Sequence, residues 1–431
     1  MFGNINREAS IVHIDCDAFF ASCEQAKDPR LRGHPIVTGK ERGIISSASY
    51  EARALGIKRG ISLREAKAIC PELVILPSDY ETYSIYSRRL FQIIERFTPT
   101  VEEFSIDEAY CDIAGLRRIH RLPYPAIAKL IKSTIQKELD VTVSVGVSLT
   151  KTLAKIASRH RKPDGFTEVS SCKLKEFLKN VPLERVCGFG PNTVALLNKC
   201  GIYMVSDYVA RPVGFSDKLL GKTGVELWYE LCGNPIYKVC PGVKDKYLSI
   251  SKTKTFVPPS CDKSLVKAHL MRNLESAFIK LRRHGLSTSS LTIYLRKSDF
   301  EGYYLEGRLD RHSSATLDFT GLCSRLFDAL FVENAEYRAT GVLLSDILPE
   351  GADNRTLFDD PAKIAKIADI SKSIDVVNGV YGKYAVHLAA AHQALSNKNP
   401  HPRNEPVRRK TELLKGETAR KRLRIPRLEL V

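Results

Sequence analysis

The sequence lacks several features that would place it in a restricted class of protein. No apolar run approaches the roughly 20 residues that a membrane-spanning helix needs, and the first residues, Met1–Asn4, show no basic segment followed by an apolar one. None of the 11 cysteines forms a Cys-x-x-Cys pair, and no histidine cluster accompanies them at zinc spacing. We therefore expect a cytoplasmic protein with no membrane association, whose cysteines are reduced, buried thiols.

The composition favours a multidomain protein with a polyanionic partner. The chain has 431 residues, enough for about two to four domains, and 43% of them are hydrophobic. Its 66 Lys+Arg residues outnumber the 49 Asp+Glu residues, which gives a net charge of +17. This excess favours nucleic acid as the partner first and an anionic membrane surface second.

Two acidic segments follow apolar strands that are far apart in the sequence. Asp15 and Asp17 follow the apolar run Ile11–Ile14, and Asp107 and Glu108 lie between two further apolar segments. A carboxylate at the end of an apolar strand is costly to desolvate unless a cation neutralises it. Three that converge would form the oxygen-rich kind of site that Mg²⁺ prefers. Taken singly, either segment is also compatible with an exposed acidic turn.

The hydrophobic pattern predicts two units with the same order of elements. In residues 249–348, a strand and a helix precede a hairpin in which apolar and polar residues alternate from Leu291 to Arg296, and a second helix and strand follow. This is the β-α-β-β-α-β order of a ferredoxin-like fold. It recurs from Ile11 to Val147 around an insertion at about residues 18–78. In such a sheet the first strand pairs with the hairpin, so the two acidic segments can meet on one face.

Elsewhere the pattern is less regular. Gly188, Gly190 and Thr193 belong to a turn between short predicted helices that resembles a helix-hairpin-helix, where backbone amides can bind a phosphate. A purely structural turn is the alternative. The residue pattern of the C-terminal tail predicts two helices, Ile364–Val377 and Tyr384–Leu395, followed by a basic end.

Two further groups of residues are candidates for binding a triphosphate. Tyr50 and Arg53 fall on one side of a predicted helix, and an arginine suits a phosphate group. Lys151, Lys155 and Arg159 recur every four residues and form a one-sided basic stripe. For both groups a solvated helix face is the alternative.

Residues beside the first acidic segment allow more than one interpretation. Asp17 is either part of the catalytic set or the N-cap of a helix that begins at Phe19. Phe19 and Phe20 are either core residues or aromatic side chains that stack on a nucleotide sugar. The residue pattern alone does not choose between these alternatives.

Taken together, these segments resemble the motifs of the Y-family, translesion DNA polymerases, and they are most similar to the DNA polymerase IV branch. The similarity is carried by His13–Phe20, Ser49–Arg53, Ser105–Tyr110, Val145–Ser148 and Lys162–Gly165. Their order and spacing agree with the family from residue 10 to about residue 348. Five linked motifs are far more specific than any one of them.

The resemblance implies an α+β, multidomain right-hand polymerase. It assigns residues 1–18 and 78–169 to a ferredoxin-like palm, 19–77 to small fingers, 170–240 to a helical thumb with the helix-hairpin-helix, 241–248 to a linker, 249–348 to a little finger of β-α-β-β-α-β type, and 349–431 to a helical and basic C-terminal tail. The implied activity is template-directed DNA synthesis by a two-metal mechanism. Low fidelity is expected, and proofreading is not, because no exonuclease-like acidic set is evident elsewhere.

The resemblance also implies roles for individual residues. Asp15, Asp107 and Glu108 would be catalytic and would hold two Mg²⁺ ions together with the backbone carbonyl of Cys16. The incoming deoxynucleoside triphosphate would be bound by Phe19, Phe20, Tyr50, Arg53 and Lys162, with Phe20 as the steric gate against ribonucleotides. Primer-template DNA would be contacted by Gly188, Gly190 and Thr193.

Some positions depart from the family pattern. The approach to Lys162 is more basic than expected, with Arg159, His160 and Arg161. In the tail, Leu357 and Phe358 resemble the end of a sliding-clamp-binding motif, but Asn354 stands where a glutamine is usual. The sliding clamp is therefore a candidate partner only, and we expect the chain to be a monomer.

Two alternatives belong to other functional classes. A non-catalytic DNA-binding module could retain such a fold, but it would be expected to lose the acidic residues, which are present here. A two-metal nuclease or cyclase could use a similar sheet. Incubation with primer-template, Mg²⁺ and nucleotides separates these activities.

Overall fold

A computed structural model describes residues 8–242, 247–351, 360–382 and 384–396 of the chain. These residues fall into two units, one up to residue 242 and one from residue 247 onward, each with its own main core. Across the described ranges, no helix combines the length and the apolar content needed to cross a membrane.

Strand β1 lies at the centre of the main sheet of the first unit. The strands are β1 (Ile11–Cys16), β2 (Ile36–Thr38), β3 (Ser47–Ala48), β4 (Val74–Leu76), β5 (Val101–Glu103), β6 (Glu108–Asp112), β7 (Val143–Ser148) and β8 (Phe166–Glu168). Within residues 8–242 the main sheet has the order β5-β6-β1-β7-β8, and β1 is antiparallel to both β6 and β7. A smaller sheet has the order β3-β2-β4. The predicted pairing of the first strand with the hairpin is confirmed.

The helices of the first unit complete the predicted order. They are α1 (Phe19–Lys27), α2 (Tyr50–Ala54), α3 (Leu63–Ile69), α4 (Tyr80–Glu95), α5 (Arg117–His120), α6 (Tyr124–Leu139), α7 (Lys151–His160), α8 (Leu174–Leu178), α9 (Pro191–Lys199), α10 (Val205–Ala210) and α11 (Val213–Leu231). Elements β1, α4, β5, β6, α6 and β7 follow one another as β-α-β-β-α-β, as the pattern predicted.

The alternation of side chains along β1 separates an apolar face from a polar one. Val12 and Ile14 are fully buried in the main core, as expected for one face of a strand with period two. His13 lies on the opposite face, where its Nδ1 is 2.8 Å from Ser158 Oγ of α7. Helix α7 can approach this closely because Gly146 of β7 has no side chain: a Cβ there would lie 2.1 Å from the Ala154 carbonyl oxygen.

The second unit repeats the arrangement. Its strands are β9 (Ile250–Ser260), β10 (Leu286–Lys297), β11 (Gly302–Ser313) and β12 (Tyr337–Pro349), and its long helices are α12 (Lys263–Arg283) and α13 (Thr316–Leu330). Among residues 247–351 the sheet order is β11-β10-β12-β9, with every neighbouring pair antiparallel. Leu291, Ile293 and Leu295 are fully buried, so the alternation in β10 was interpreted correctly.

One element of the tail differs from the prediction. Helix α14 (Pro361–Tyr381) covers the predicted Ile364–Val377, but the second predicted helix is wrong in extent, because α15 spans only His392–Ser396 after a short 3₁₀ turn. The Asn378 side chain explains the difference, since it bonds both the N–H and the carbonyl of Val386 at 2.9 Å and holds that backbone away from helical pairing. Asn354, Leu357, Phe358 and the basic end lie outside the described residues.

The cysteines are all free, as predicted, but they are not all buried. Cys172, Cys187, Cys240 and Cys261 are exposed. Cys187 is exposed although Val186 and Phe189 beside it are buried. The turn therefore directs its apolar side chains inward and its cysteine outward.

Candidate active site

The two acidic segments meet at one end of β1. In the β1–β6 register Asp15 lies directly opposite Glu108, and the Cys16 N–H donates a hydrogen bond to the Asp107 carbonyl at 3.0 Å. Asp15 is 6% exposed, and Asp107 and Glu108 are half-buried. The antiparallel pairing of a strand with a hairpin therefore gathers three carboxylate residues that are distant in sequence.

These residues form part of the wall of a cavity of about 810 Å³. The wall includes every residue predicted for the metal and nucleotide sites: Asp15, Cys16, Phe19, Phe20, Tyr50, Arg53, Asp107, Glu108 and Lys162. It does not include the three residues predicted to contact DNA, which lie elsewhere in the first unit: Gly188, Gly190 and Thr193.

Basic side chains neutralise two of the carboxylates. Lys162 Nζ lies 2.6 Å from Asp15 Oδ1. Lys155 Nζ lies 2.6 Å from Glu108 Oε2, and Arg159 Nη2 lies 3.3 Å from Glu108 Oε1. Such charge-assisted contacts stabilise carboxylates that have lost part of their hydration.

The pKa values of these groups reflect a competition between burial and charge. Burial raises the pKa of Asp15 to about 6, although Lys162 opposes the change. Burial acts in the same direction on Glu108, but the hydrogen bond and charge of Lys155, assisted by Arg159, bring the pKa of Glu108 below its ordinary value. Burial disfavours the Lys162 ammonium, yet Asp15 and Asp17 raise the pKa of Lys162 above its ordinary value.

The carboxylate oxygens suit a hard divalent cation, but amino and hydroxyl groups are their present partners. Ser105 Oγ donates to Asp107 Oδ1 at 2.5 Å, beside the lysine contacts of the other two acids. In the described part of the chain, no group of three His, Cys, Asp or Glu side chains is arranged as a ready-made metal site. A cation bound here would have to replace the lysine contacts. Carboxylate oxygens are preferred ligands of Mg²⁺, which favours this replacement.

Helix α2 presents Tyr50 and Arg53 to the cavity. The helix begins after Ser49, whose Oγ accepts a hydrogen bond from the Ala52 N–H at 3.3 Å, a normal N-cap contact. The Arg53 guanidinium lies over the Tyr50 ring, 4.7 Å from its centroid. The predicted placement of these two side chains on one helix side is confirmed.

The two neighbouring phenylalanines have different environments. Phe20 is half-buried and stacks on Tyr83, with ring centroids 4.4 Å apart and planes at 13°. Tyr83 is fixed in turn by a hydrogen bond that its hydroxyl donates to Glu24 Oε1 at 2.8 Å. Phe19 is 4% exposed and packs in the main core, as one of the two interpretations predicted, although part of it also reaches the cavity wall together with Phe20.

The basic stripe of α7 is not a solvated helix face. Lys155 is 3% exposed and binds Glu108, and Lys151 Nζ lies 2.7 Å from Glu102 Oε2. The stripe therefore faces the acidic hairpin β5–β6. Arg159 also reaches the cavity wall.

The N-cap interpretation of Asp17 is wrong. The cap position of α1 is Ala18, with φ of 49°, and no side chain caps the helix. Asp17 is fully buried instead, and its two carboxylate oxygens accept hydrogen bonds from Ser144 Oγ and the Asp164 N–H, each at 2.8 Å.

The glycine turn before α9 differs in part from a helix-hairpin-helix. The element before it is a 3₁₀ turn, Leu183–Arg185, and not an α-helix. Gly188 has φ of +111°, which favours glycine. Gly190 precedes α9 directly, and a Cβ at that position would meet nothing within 4 Å. There is therefore open space beside the Cα of Gly190 at the start of α9.

Two arginines of the cavity wall were missed from the sequence. Arg59 and Arg185 line the wall with the predicted residues. Arg59 follows Lys58 in a turn and Arg185 ends a short 3₁₀ turn, and in a chain with 66 Lys+Arg such arginines show no distinguishing pattern.

Comparisons with known proteins find matching family models, relatives and solved structures. Residues 14–159 match the model of the impB/mucB/samB family, and residues 248–357 match the model of that family's C-terminal domain. DNA polymerase IV of Moorella thermoacetica is 31% identical over 392 residues, 90% of this chain and 97% of that protein. DNA polymerase IV of Lactococcus lactis is 34% identical over 343 residues, 78% of this chain and 93% of that protein. Among solved structures, a Y-family DNA polymerase chimera aligns with a TM-score of 0.69 at 24% identity, over 79% of this chain and 99% of that chain.

Proposed function

The chain belongs to the impB/mucB/samB family of Y-family DNA polymerases, and from this premise we propose how its residues carry out template-directed DNA synthesis. It is a DNA-directed DNA polymerase of the translesion type. The observation that supports the site most strongly is the register of Asp15 opposite Glu108 on the wall of a cavity that also holds Lys162 and Arg53.

Polymerases of this family need divalent metal ions. We propose that Asp15, Asp107 and Glu108, with the Cys16 carbonyl, hold two Mg²⁺ ions. The donors are hard oxygens and fit this cation. The ions would supply activation of the primer 3′-hydroxyl and neutralisation of charge on the triphosphate. Lys155 and Arg159 keep Glu108 ionised, which a metal ligand requires.

Other residues of the same cavity wall are proposed to bind the incoming nucleotide. Lys162, Arg53 and Tyr50 present an ammonium, a guanidinium and a hydroxyl that can contact the triphosphate. Phe20 would be the steric gate: its flat ring is held by stacking on Tyr83, and a ring fixed there would exclude a ribose 2′-hydroxyl. Phe19 supports this wall from the core.

DNA is proposed to bind mainly through its phosphates. Gly188, Gly190 and Thr193 would contact the DNA backbone at the turn before α9. Residues 249–348 would act as the little finger, in addition to the palm, fingers and thumb. With a net charge of +17, affinity for DNA should fall steeply with salt. Low fidelity and the absence of proofreading belong to the same proposal.

Three further points remain proposals. The sliding clamp would bind through Leu357 and Phe358, the chain would act as a monomer, and it would act in the cytoplasm. We expect synthesis on a short primer to need none of these.

Primer extension tests the proposed function. Wild-type chain with primer-template, Mg²⁺ and the four deoxynucleoside triphosphates should lengthen the primer, and Asp107→Ala should abolish extension while DNA binding is retained. Glu103→Ala is the matched control, because Glu103 is an exposed acid of the same hairpin and does not line the cavity. Cleavage or a cyclic product in place of extension would support the nuclease or cyclase alternative, and DNA retention without chemistry would support the binding module.

A further inference from the structure

Asp17 lies beside the cavity but not on its wall. Its side chain has no exposed surface, and it is not among the described residues that line the cavity, whereas Asp15 is. A carboxylate buried this completely is costly unless hydrogen bonds and a positive charge stabilise it. The groups that stabilise Asp17 therefore indicate what it does.

The partners of Asp17 hold the turn that follows α7. Asp17 Oδ2 accepts a hydrogen bond from the Asp164 N–H at 2.8 Å, and Asp17 Oδ1 accepts one from Ser144 Oγ at 2.8 Å. Ser144 Oγ itself accepts from the Gly165 N–H at 3.2 Å. The backbone N–H groups of two successive residues, Asp164 and Gly165, thus donate to a buried carboxylate and to the hydroxyl bonded to it.

The turn at residues 162–165 is also held by contacts with α6 and by a close backbone approach at Gly165. The Asp164 side chain accepts hydrogen bonds from Lys132 and Gln136 of α6. A Cβ on Gly165 would lie 1.8 Å from the Arg161 carbonyl oxygen, so a larger residue would force the turn open. Contacts from both sides therefore fix the backbone that carries Lys162.

The Lys162 ammonium lies between two carboxylates with different roles. Its Nζ is 2.6 Å from Asp15 Oδ1 and 3.5 Å from Asp17 Oδ1. If Asp15 binds a cation, that contact is lost, but the contact with Asp17 is not, because Asp17 does not reach the cavity. Asp17 can then continue to orient the ammonium.

We propose that Asp17 is a positioning residue for nucleotide binding: it fixes the turn at residues 162–165 and directs Lys162 into the cavity without touching metal or nucleotide. The inference rests on the proposed function, in which Lys162 binds the triphosphate. It separates the two aspartates of the first acidic segment into one ligand and one positioning group.

Steady-state primer extension with separate KM and kcat tests this role. Asp17→Asn keeps the shape of the side chain but removes its charge, so the KM for the nucleotide should rise roughly 10-fold while kcat changes less than about 3-fold. In a Lys162→Ala background, Asp17→Asn should add little to the KM, because both changes remove the same interaction.

A matched pair of serine variants keeps the test valid if Asp17→Asn folds poorly. Ser144→Ala removes the hydroxyl that bonds Asp17 and Gly165, whereas Ser148→Ala removes a hydroxyl of the same strand that bonds the Val169 carbonyl at 2.9 Å. Both serines are fully buried. Ser144→Ala should raise the KM and Ser148→Ala should not, at a similar loss of thermal stability.

The results separate failure of this inference from failure of the proposed function. If Lys162→Ala raises the KM but Asp17→Asn and Ser144→Ala do not, or if the two serine variants behave alike, the positioning role is refuted. If Lys162→Ala itself leaves the KM unchanged, its assignment to the triphosphate fails and the inference fails with it.

Discussion

Lys155 Nζ lies 2.6 Å from Glu108 Oε2, in an ion pair whose two side chains are 3% and 12% exposed. It joins the middle of α7 to the acidic corner of the β5–β6 hairpin. The lysine keeps a half-buried carboxylate ionised before any divalent cation arrives. The position of α7 over the sheet is therefore part of the chemistry of the site.

Lys155→Met should make the enzyme less stable and more sensitive to acid. Removing one partner of a buried ion pair lowers the free energy of unfolding by about 3 kcal/mol. Loss of the lysine also raises the pKa of Glu108, so the acid limb of the kcat/KM profile should move to higher pH. Lys151→Met is the control, because it breaks a comparable pair with Glu102 outside the cavity. An unchanged acid limb in Lys155→Met would mean that Glu108 does not depend on this lysine.

Phe20→Ala should weaken discrimination against ribonucleotides. Removal of the ring opens the space that a 2′-hydroxyl would occupy, and a shape effect of this size corresponds to a loss of selectivity of at least roughly 10-fold. The ratio of kcat/KM for a deoxynucleotide and its ribonucleotide measures it. Phe97→Ala, a half-buried phenylalanine that packs on the same core away from the cavity, should keep the wild-type ratio; equal ratios in both variants would refute the gate.

His269 should make the second unit lose stability in acid. Burial, with smaller contributions from Arg272 and Lys254, lowers the pKa of His269 to about 4, and its ring stacks on Phe256 at 4.3 Å. Because the unfolded pKa is about 6.5, stability is full above that pH and falls as the pH decreases toward 4. From about pH 7 to about pH 5 the loss due to this group is about 2 kcal/mol.

His269→Phe keeps an aromatic stack and removes the titration. Urea unfolding at the two pH values should therefore show a smaller acid loss in the variant than in the wild type by about that amount. If the two proteins lose the same free energy of unfolding, His269 is not the group responsible.

Truncation should distinguish two parts of the tail. Ala391 is fully buried in the second core, Arg282 forms a 2.6 Å ion pair with Asp375, and the Leu388 N–H donates to Glu275 Oε1 at 2.6 Å. Deletion of residues 360–431 exposes this surface of α12 and should lower the melting temperature, whereas deletion of residues 397–431 leaves these contacts in place. Equal melting temperatures for the two truncations would show that residues 360–396 contribute no stability.

The sequence was sufficient to predict which strand ends meet. Alternation along β1 and the β-α-β-β-α-β order determine that Asp15 comes beside Glu108, because strand pairing in this fold follows from the order of elements. Tyr50 and Arg53 followed equally well from helical spacing. Both relationships depend on local spacing or on the order of elements, and the residue pattern specifies both.

Contacts made by long-range packing could not be predicted in the same way. Asp17 has the composition of an N-cap, but its partners Ser144 and Asp164 are 127 and 147 positions away in the chain. The pairing of Lys155 with Glu108 depends on how α7 crosses Gly146. Arg185 reaches the cavity from a turn with no periodic pattern. Each depends on the tertiary placement of a segment, which periodicity does not specify.

Binding of Mn²⁺ as a spectroscopic substitute for Mg²⁺ tests the carboxylate site most directly. In a complex with primer-template and a non-hydrolysable deoxynucleoside triphosphate, the wild-type chain should bind about two ions, and Asp15→Asn, Asp107→Asn and Glu108→Gln should each weaken or remove that binding while Glu103→Gln does not. Wild-type stoichiometry and affinity in all three cavity variants would contradict the assignment of these acids to the metal.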